Sequence, residues 1–220
     1  MKKLLILIFI CDFVFFVKTL HAEDPYKQEV LLSTLINKSE NIATYSGYYI
    51  NGYFVNNSPN FSISYLRVNN SAPTVKMNTL LTVVSNATTS DRQAVFNEVE
   101  SLSNFKPKIV TQTEDFDENI QLVRFDFLDE DNRIRLSEWR DLQNGFKYKS
   151  AVYDFSGYLL QFTLYENLLI DQPNQNLEKW KKRKIISFDS FLSNHSDFSA
   201  GDFLSLKTSF WAKILNLGFN

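Results

Sequence analysis

The chain has 220 residues, a formal net charge of −2 and a pI of about 5.8. That length fits one domain of ordinary size, or at most two small ones. With 44% hydrophobic and 22% charged residues, the composition argues against wholesale disorder, and the near-neutral charge argues against a nucleic-acid partner. Only 6 Gly and 5 Pro remove collagen-like and Gly/Pro-rich readings.

Residues 1–22 have the pattern of a secretory signal peptide. Lys2 and Lys3 form the positive start, and residues 4–17 form an apolar run broken only by Asp12. Leu20-His21-Ala22 then offers a cleavage site ending in a small residue. The run is shorter than the about 20 apolar residues of a spanning helix, so cleavage after Ala22 is expected rather than a retained anchor. Cys11 follows Ile8, Phe9 and Ile10, not the small residue that a lipoprotein signal wants.

Cleavage removes the one Cys and one of the two His. The rest has no thiol for a disulfide, a nucleophile or a thiolate metal site, and His195 alone cannot build a His-rich metal centre. No GxGxxG, GxxxxGKS/T or GxSxG occurs, so no nucleotide loop, no common hydrolase elbow and no cofactor are expected. The double-Lys start and the Asn/Lys/Ile/Phe-rich make-up suit an AT-rich bacterial genome, hence a periplasmic or secreted location.

Asp24-Pro25 starts a predicted amphipathic helix over 25–38, because Asp caps free N–H groups and Pro suits the first helical position. Tyr48-Tyr49-Ile50 and Tyr53-Phe54-Val55 flank Asn51-Gly52, a strong signal for a two-residue hairpin. A further turn is predicted at Asn57-Ser58-Pro59-Asn60. Phe61, Ile63 and Tyr65 read as one face of a strand, and Val75, Met77, Thr79, Leu81 and Val83 continue the two-residue period.

A helix is predicted over 90–104, with Ser90 and Gln93 at capping-box spacing and Val95, Val99 and Leu102 on one face. Strands follow at 108–113, 119–128, 133–142, 146–153 and 158–167. Val123, Phe125 and Phe127 alternate with Arg124 and Asp126. Asn144-Gly145 and Asp154 to Gly157 read as turns, and Leu160, Phe162 and Leu164 share a face. Such short connections make antiparallel neighbours. A helix is predicted over 176–184 and another over 200–217, the latter on Phe203, Leu206, Phe210, Ile214 and Leu217. The pattern predicts a signal peptide, residues 1–22, and one α+β domain, residues 23–220: an antiparallel sheet with N-terminal, central and C-terminal helices packed against it.

An opening helix, aromatic strands, a helix, more strands and a Trp-bearing basic stretch make an order that resembles PsbP- and DcrB-type small α+β proteins. It is equally similar to the half-barrel of LolA/RseB-type envelope proteins. The resemblance lies in element order over about two thirds of the chain, and no motif transfers a functional residue.

Two features suggest binding. Lys179, Lys181, Lys182, Arg183 and Lys184 surround Trp180, a pattern that docks on anionic lipid or polymer with the indole at the interface; a solvated helix face is the plain alternative. Tyr48, Tyr49 and Tyr53 lie in the densest aromatic block, with Tyr45, Phe54, Phe61 and Tyr65, and such strands line a cleft or fill a core. Acidic residues cluster at 114–118 and at Asp126, Asp129, Glu130 and Asp131, but the EF-hand spacing fails, with Ile134 where Gly is needed. No metal site is expected.

The composite reading is an exported cell-envelope protein with a non-enzymatic binding role toward a partner protein, lipid or envelope polymer. The alternative is a secreted hydrolase using His195, beside Ser193, Asp197 and Ser199, or a carboxylate pair such as Glu138 and Glu166.

Overall fold

A computed structural model describes residues 25–56, 58–103, 108–117, 120–172, 184–204 and 206–217. Helix α1 (Pro25–Glu40) opens it, with Pro at the first turn, where a missing N–H costs nothing. Strands β1 (Thr44–Val55), β2 (Ser58–Asn69) and β3 (Thr74–Val84) form an antiparallel meander. Helix α2 (Thr89–Ser103) interrupts the strands. A second meander follows: β4 (Lys108–Asp117), β5 (Ile120–Leu128), β6 (Ile134–Asp141), β7 (Lys147–Tyr153) and β8 (Leu159–Ile170). A short β9 (Lys184–Ser187), α3 (Phe188–Asn194), a 3-10 turn (Ala200–Leu204) and α4 (Thr208–Asn216) complete the described chain.

Among the described residues, nine strands make one sheet in the order β4-β5-β6-β7-β8-β1-β2-β3-β9. Every pairing is antiparallel except β3 with β9. The architecture is therefore α+β, an antiparallel sheet with helices packed against it. β8 returns to pair with β1, setting Tyr165 opposite Tyr49 and Thr163 opposite Asn51. This long-range pairing joins the two meanders.

One face carries the main core. Ile50, Phe54, Phe61, Ile63, Leu81, Val83, Phe162 and Leu164 of the sheet meet Phe188, Phe191, Phe203, Trp211 and Ile214 of the C-terminal elements. Trp211 is fully buried, its ring 5.3 Å from both Phe61 and Phe162. On the other face, Leu32 and Leu35 of α1 cover Val123 and Phe125, while Val95 of α2 packs with Val55 and Leu160. The sheet between α1 and α2 on that face lacks a helical cover among the described residues.

Several local expectations are corrected. Asn51-Gly52 is not a turn: β1 runs straight through it, and the chain turns at Asn56, whose φ is 50°. Gly52 instead makes room for a neighbour, since a Cβ there would lie 2.6 Å from the Phe162 ring. Ser58, Pro59 and Asn60 belong to β2, not to a turn, and residue 57 lies outside the described residues. The two-residue period of β3 breaks at a bulge opposite Ile63 and Ser64, so Leu81 and Val83 are buried while Val75 and Met77 are exposed. Another bulge, at Val152/Tyr153, sends Leu160 away from Phe162 and Leu164.

The cap of α2 is Thr88 with Asp91 rather than Ser90 with Gln93. The Asp91 N–H donates to the Thr88 hydroxyl at 3.2 Å, and the Thr88 N–H donates to the Asp91 carboxylate at 3.0 Å. Of the helix expected over 176–184, only Lys184 is described, and it opens a strand. The expected C-terminal helix is split, and α3 precedes it, capped by the Ser187 hydroxyl, which accepts from the Ser190 N–H at 3.1 Å.

Candidate functional site

The uncovered part of the sheet between α1 and α2 holds a groove of about 510 Å³. Its floor is built from β1 (Tyr45, Tyr49), β8 (Thr163, Tyr165) and β7 (Ser150), and its walls from Ile42, Arg140, Phe146 and Lys147. Strand alternation explains the floor. Phe162 and Leu164 point into the main core, so Thr163 and Tyr165 must point the other way.

Four rings interlock there. Phe146 lies 5.0 Å from Tyr45 and 5.0 Å from Tyr165, both edge-on, and Tyr49 lies 5.2 Å from Tyr165. Burial pushes the Tyr165, Tyr45 and Tyr49 phenols up from their ordinary pKa; the neighbouring Tyr45 and Tyr49 add to the rise at Tyr165, as does Tyr45 at Tyr49. These phenols are neutral donors at physiological pH. The Ser150 and Thr163 hydroxyls are paired at 2.7 Å.

One carboxylate serves two cations at the rim. Glu138 accepts from the Arg140 guanidinium at 2.8 Å and from the Lys147 ammonium at 3.1 Å. Arg140 is nearly buried and also donates to the Gly145 carbonyl at 3.1 Å. Lys147, with 43% of its side chain exposed, faces the opening. The trio carries one positive charge in excess.

The binding residues expected from sequence separate in space. Tyr49 lines the groove. Tyr48 points to the opposite face, edge-on to Tyr65 at 5.8 Å and against the main core. Tyr53 packs against Phe96 of α2 at 5.3 Å. Lys184 is exposed and pairs with Leu81 through its backbone, whereas Lys179, Trp180, Lys181, Lys182 and Arg183 lie outside the described residues, as does the 1–22 segment. Tyr165, Phe146, Arg140, Lys147, Ser150 and Thr163 were not singled out from the sequence. The alternation of β8 was a signal for Thr163 and Tyr165, but only the β1–β8 pairing places them beside Tyr49.

A second concavity, of about 690 Å³, lies between α3 and α4 and includes His195, Asp197, Phe198 and Phe210. It does not assemble a hydrolytic triad. The Ser193 hydroxyl donates to the Asp189 carbonyl at 2.8 Å and the Ser199 hydroxyl to Asp202 at 2.8 Å, while His195 stacks 4.8 Å from Phe191. Glu138 and Glu166 do not converge either. Glu138 stands across β7 from Thr163 on the groove face, and Glu166, three residues beyond Thr163 in an unbroken register, falls on the other. The sheet separates them, so they are no catalytic pair.

Of the acidic residues, Asp126 and Asp129 have structural work, while the side chains of the 114–118 cluster lie outside the described residues. Asp129 accepts from the N–H groups of Asp131 and Arg133 at 3.0 and 2.9 Å. Asp126 pairs with Arg124 at 2.7 Å and accepts from Ser137 at 2.5 Å. Among the described residues, no group of three or more His, Cys, Asp or Glu side chains is placed to hold a metal ion.

No protein-family model and no curated protein sequence matches the chain. Several solved structures are similar to it. MucB in complex with MucA(peri) is 13% identical with a TM-score of 0.40, over 70% of this chain and 59% of that one. A DUF1329 family protein from Desulfovibrio piger is 10% identical with a TM-score of 0.31, over 72% of this chain and 100% of that one. A LolA superfamily protein from Nitrosomonas europaea is 10% identical with a TM-score of 0.21, over 68% of this chain and 97% of that one. This chain thus spans about three fifths of the MucB chain it matches.

Proposed function

We propose that this chain is an exported cell-envelope binding protein and that the tyrosine groove between α1 and α2 holds its ligand. Export is supported by the positive start, apolar run and small-residue cleavage site of residues 1–22. The observation that carries the binding reading is the four-ring cluster of Tyr45, Tyr49, Tyr165 and Phe146 beside a rim with one excess cation. A concave site of several hundred Å³, with aromatic walls and a few placed polar groups, is the usual form of a small-ligand site. Ser150, Thr163, Asn70 and Ser39 make it a polar site rather than an acyl-chain tunnel, for among the described residues Ile42 is the only aliphatic one lining it.

Amide and side-chain NMR of residues 23–220 tests this. Titration with soluble cell-wall fragments, acidic sugars and short peptides should perturb Tyr49, Ser150 and Thr163 first. Perturbations confined to the concavity between α3 and α4, or none at all, would remove the groove from consideration.

A further inference from the structure

Resting on the groove as the binding site, we propose that its ligand is an acidic saccharide, a pyranose carrying a carboxylate, whose ring lies against the tyrosine floor and whose carboxylate pairs with Lys147.

The first argument is the division of labour at the rim. Arg140 has little freedom: two of its nitrogens hold one oxygen of Glu138 and a third donates to the Gly145 carbonyl. Among the described residues, Lys147 has one partner, the other oxygen of Glu138, and it is the more exposed cation of the two. An ammonium has three donors, so it can keep Glu138 and still take a ligand carboxylate. Arg140 is thus a positioning residue that fixes Glu138, and Lys147 is the binding residue.

The second argument is the match of surface types. A pyranose has an apolar C–H face and a rim of hydroxyls. Tyr45, Tyr49 and Tyr165 offer apolar rings with polar tips, and the Ser150–Thr163 hydroxyl pair and Asn70 offer neutral donors and acceptors around them. A phospholipid would need an aliphatic channel, which one Ile does not make. A groove of about 510 Å³ takes roughly one or two such rings.

The test uses residues 23–220 with glucuronate and tri-galacturonate as probes, against glucose and tri-galactose as their uncharged counterparts. Binding is read by NMR at Tyr49, Ser150 and Thr163. The acids should bind at millimolar concentrations or tighter, and the uncharged sugars about tenfold or more weaker, the factor expected of a hydrogen bond to a charged group. Lys147→Gln should bring the acids down to the affinity of the uncharged sugars without altering the thermal midpoint. Tyr49→Ala should weaken both sets.

Equal binding of acids and uncharged sugars, or Lys147→Gln without effect on the acids, overturns the carboxylate pairing. If neither sugar set binds but acidic peptides or anionic vesicles perturb the same three residues, the saccharide inference fails and the groove reading stands. Perturbation elsewhere, or by nothing, ends both.

Discussion

Gly145 and Leu35 meet so closely that no side chain fits between them: a Cβ on Gly145 would lie 1.9 Å from the Leu35 carbonyl oxygen. The contact presses the β6–β7 turn against α1. It fixes the wall of the groove, because Arg140 donates to the Gly145 carbonyl and Phe146 follows directly in sequence. Gly145 also holds a φ of +76°, a conformation that L side chains resist.

Gly145→Ala should therefore destabilise on two counts. The left-handed backbone costs about 1–2 kcal/mol, and the overlap with rigid helix backbone adds about 1–3 kcal/mol. Denaturant melts should show a loss of about 2–5 kcal/mol. Gly157→Ala is the control: its φ is +83° but no described residue lies within 4 Å of the added Cβ, so only the backbone cost applies. Equal losses at the two sites would mean that the Leu35 contact carries no energy.

A second glycine marks where the sequence was legible and where it was not. Asn144-Gly145 and Asn51-Gly52 are the same dipeptide, and only the first is a turn. Local chemistry could not separate them. Gly52 is glycine because Phe162, about a hundred residues away, lays its ring over it, a fact of the β1–β8 pairing. The strand runs of the second meander and the α+β class followed from two-residue periodicity and short turns, which are local. The bulges at Ile63/Ser64 and Val152/Tyr153 are not local, and they redirected Val75, Met77 and Leu160. The groove was half legible for the same reason: Tyr49 stood out in an aromatic block, while Arg140, Phe146 and Tyr165 reach it only through tertiary pairing.

Gly52 and Phe162 should accordingly be coupled. Gly52→Ala alone overpacks the ring and should cost about 1–3 kcal/mol. Phe162→Ala alone empties a core site and should cost about 3–5 kcal/mol. In the double variant the added Cβ no longer clashes, so the loss should fall short of the sum by about 1 kcal/mol or more. Strict additivity in a denaturant double-mutant cycle would show that the close approach relaxes without strain.

Trp211 is expected to dominate the main core. It is fully buried among Phe61, Phe162, Phe203 and Phe210, and its indole N–H has no hydrogen-bond partner among the described residues. Trp211→Ala should cost about 3–5 kcal/mol. Trp211→Phe keeps most of the ring volume and removes an unsatisfied buried donor, so it should lose far less. A phenylalanine variant as unstable as the alanine one would mean that the indole N–H is satisfied after all.

Export has a direct check. Protein recovered from the envelope fraction should give an N-terminal sequence beginning at Glu23, as the Leu20-His21-Ala22 site requires. Full-length chain held in the membrane would instead make residues 1–22 an anchor.

The tyrosines predict an alkaline transition tied to the groove. Burial raises the Tyr45, Tyr49 and Tyr165 phenols, and lifts the adjoining Tyr148 to about 12, with the Asp141 carboxylate adding to the rise at Tyr148. Unfolded tyrosines ionise near pH 10, so between the two values the folded chain binds more protons than the unfolded one. The contribution to stability is then complete below about pH 10 and lost as pH climbs through the folded-state values. Tyrosinate absorbance should show Tyr45, Tyr49, Tyr148 and Tyr165 ionising above about pH 10, the ordinary tyrosine value, as the melting point falls. Tyr165→Phe removes the phenol in contact with both Tyr45 and Tyr49, and should flatten the alkaline loss of stability while changing the midpoint at neutral pH little. If Tyr45, Tyr49 and Tyr165 titrated near pH 10 in the folded protein, the floor of the groove would be open to water and the alkaline loss of stability would have another source.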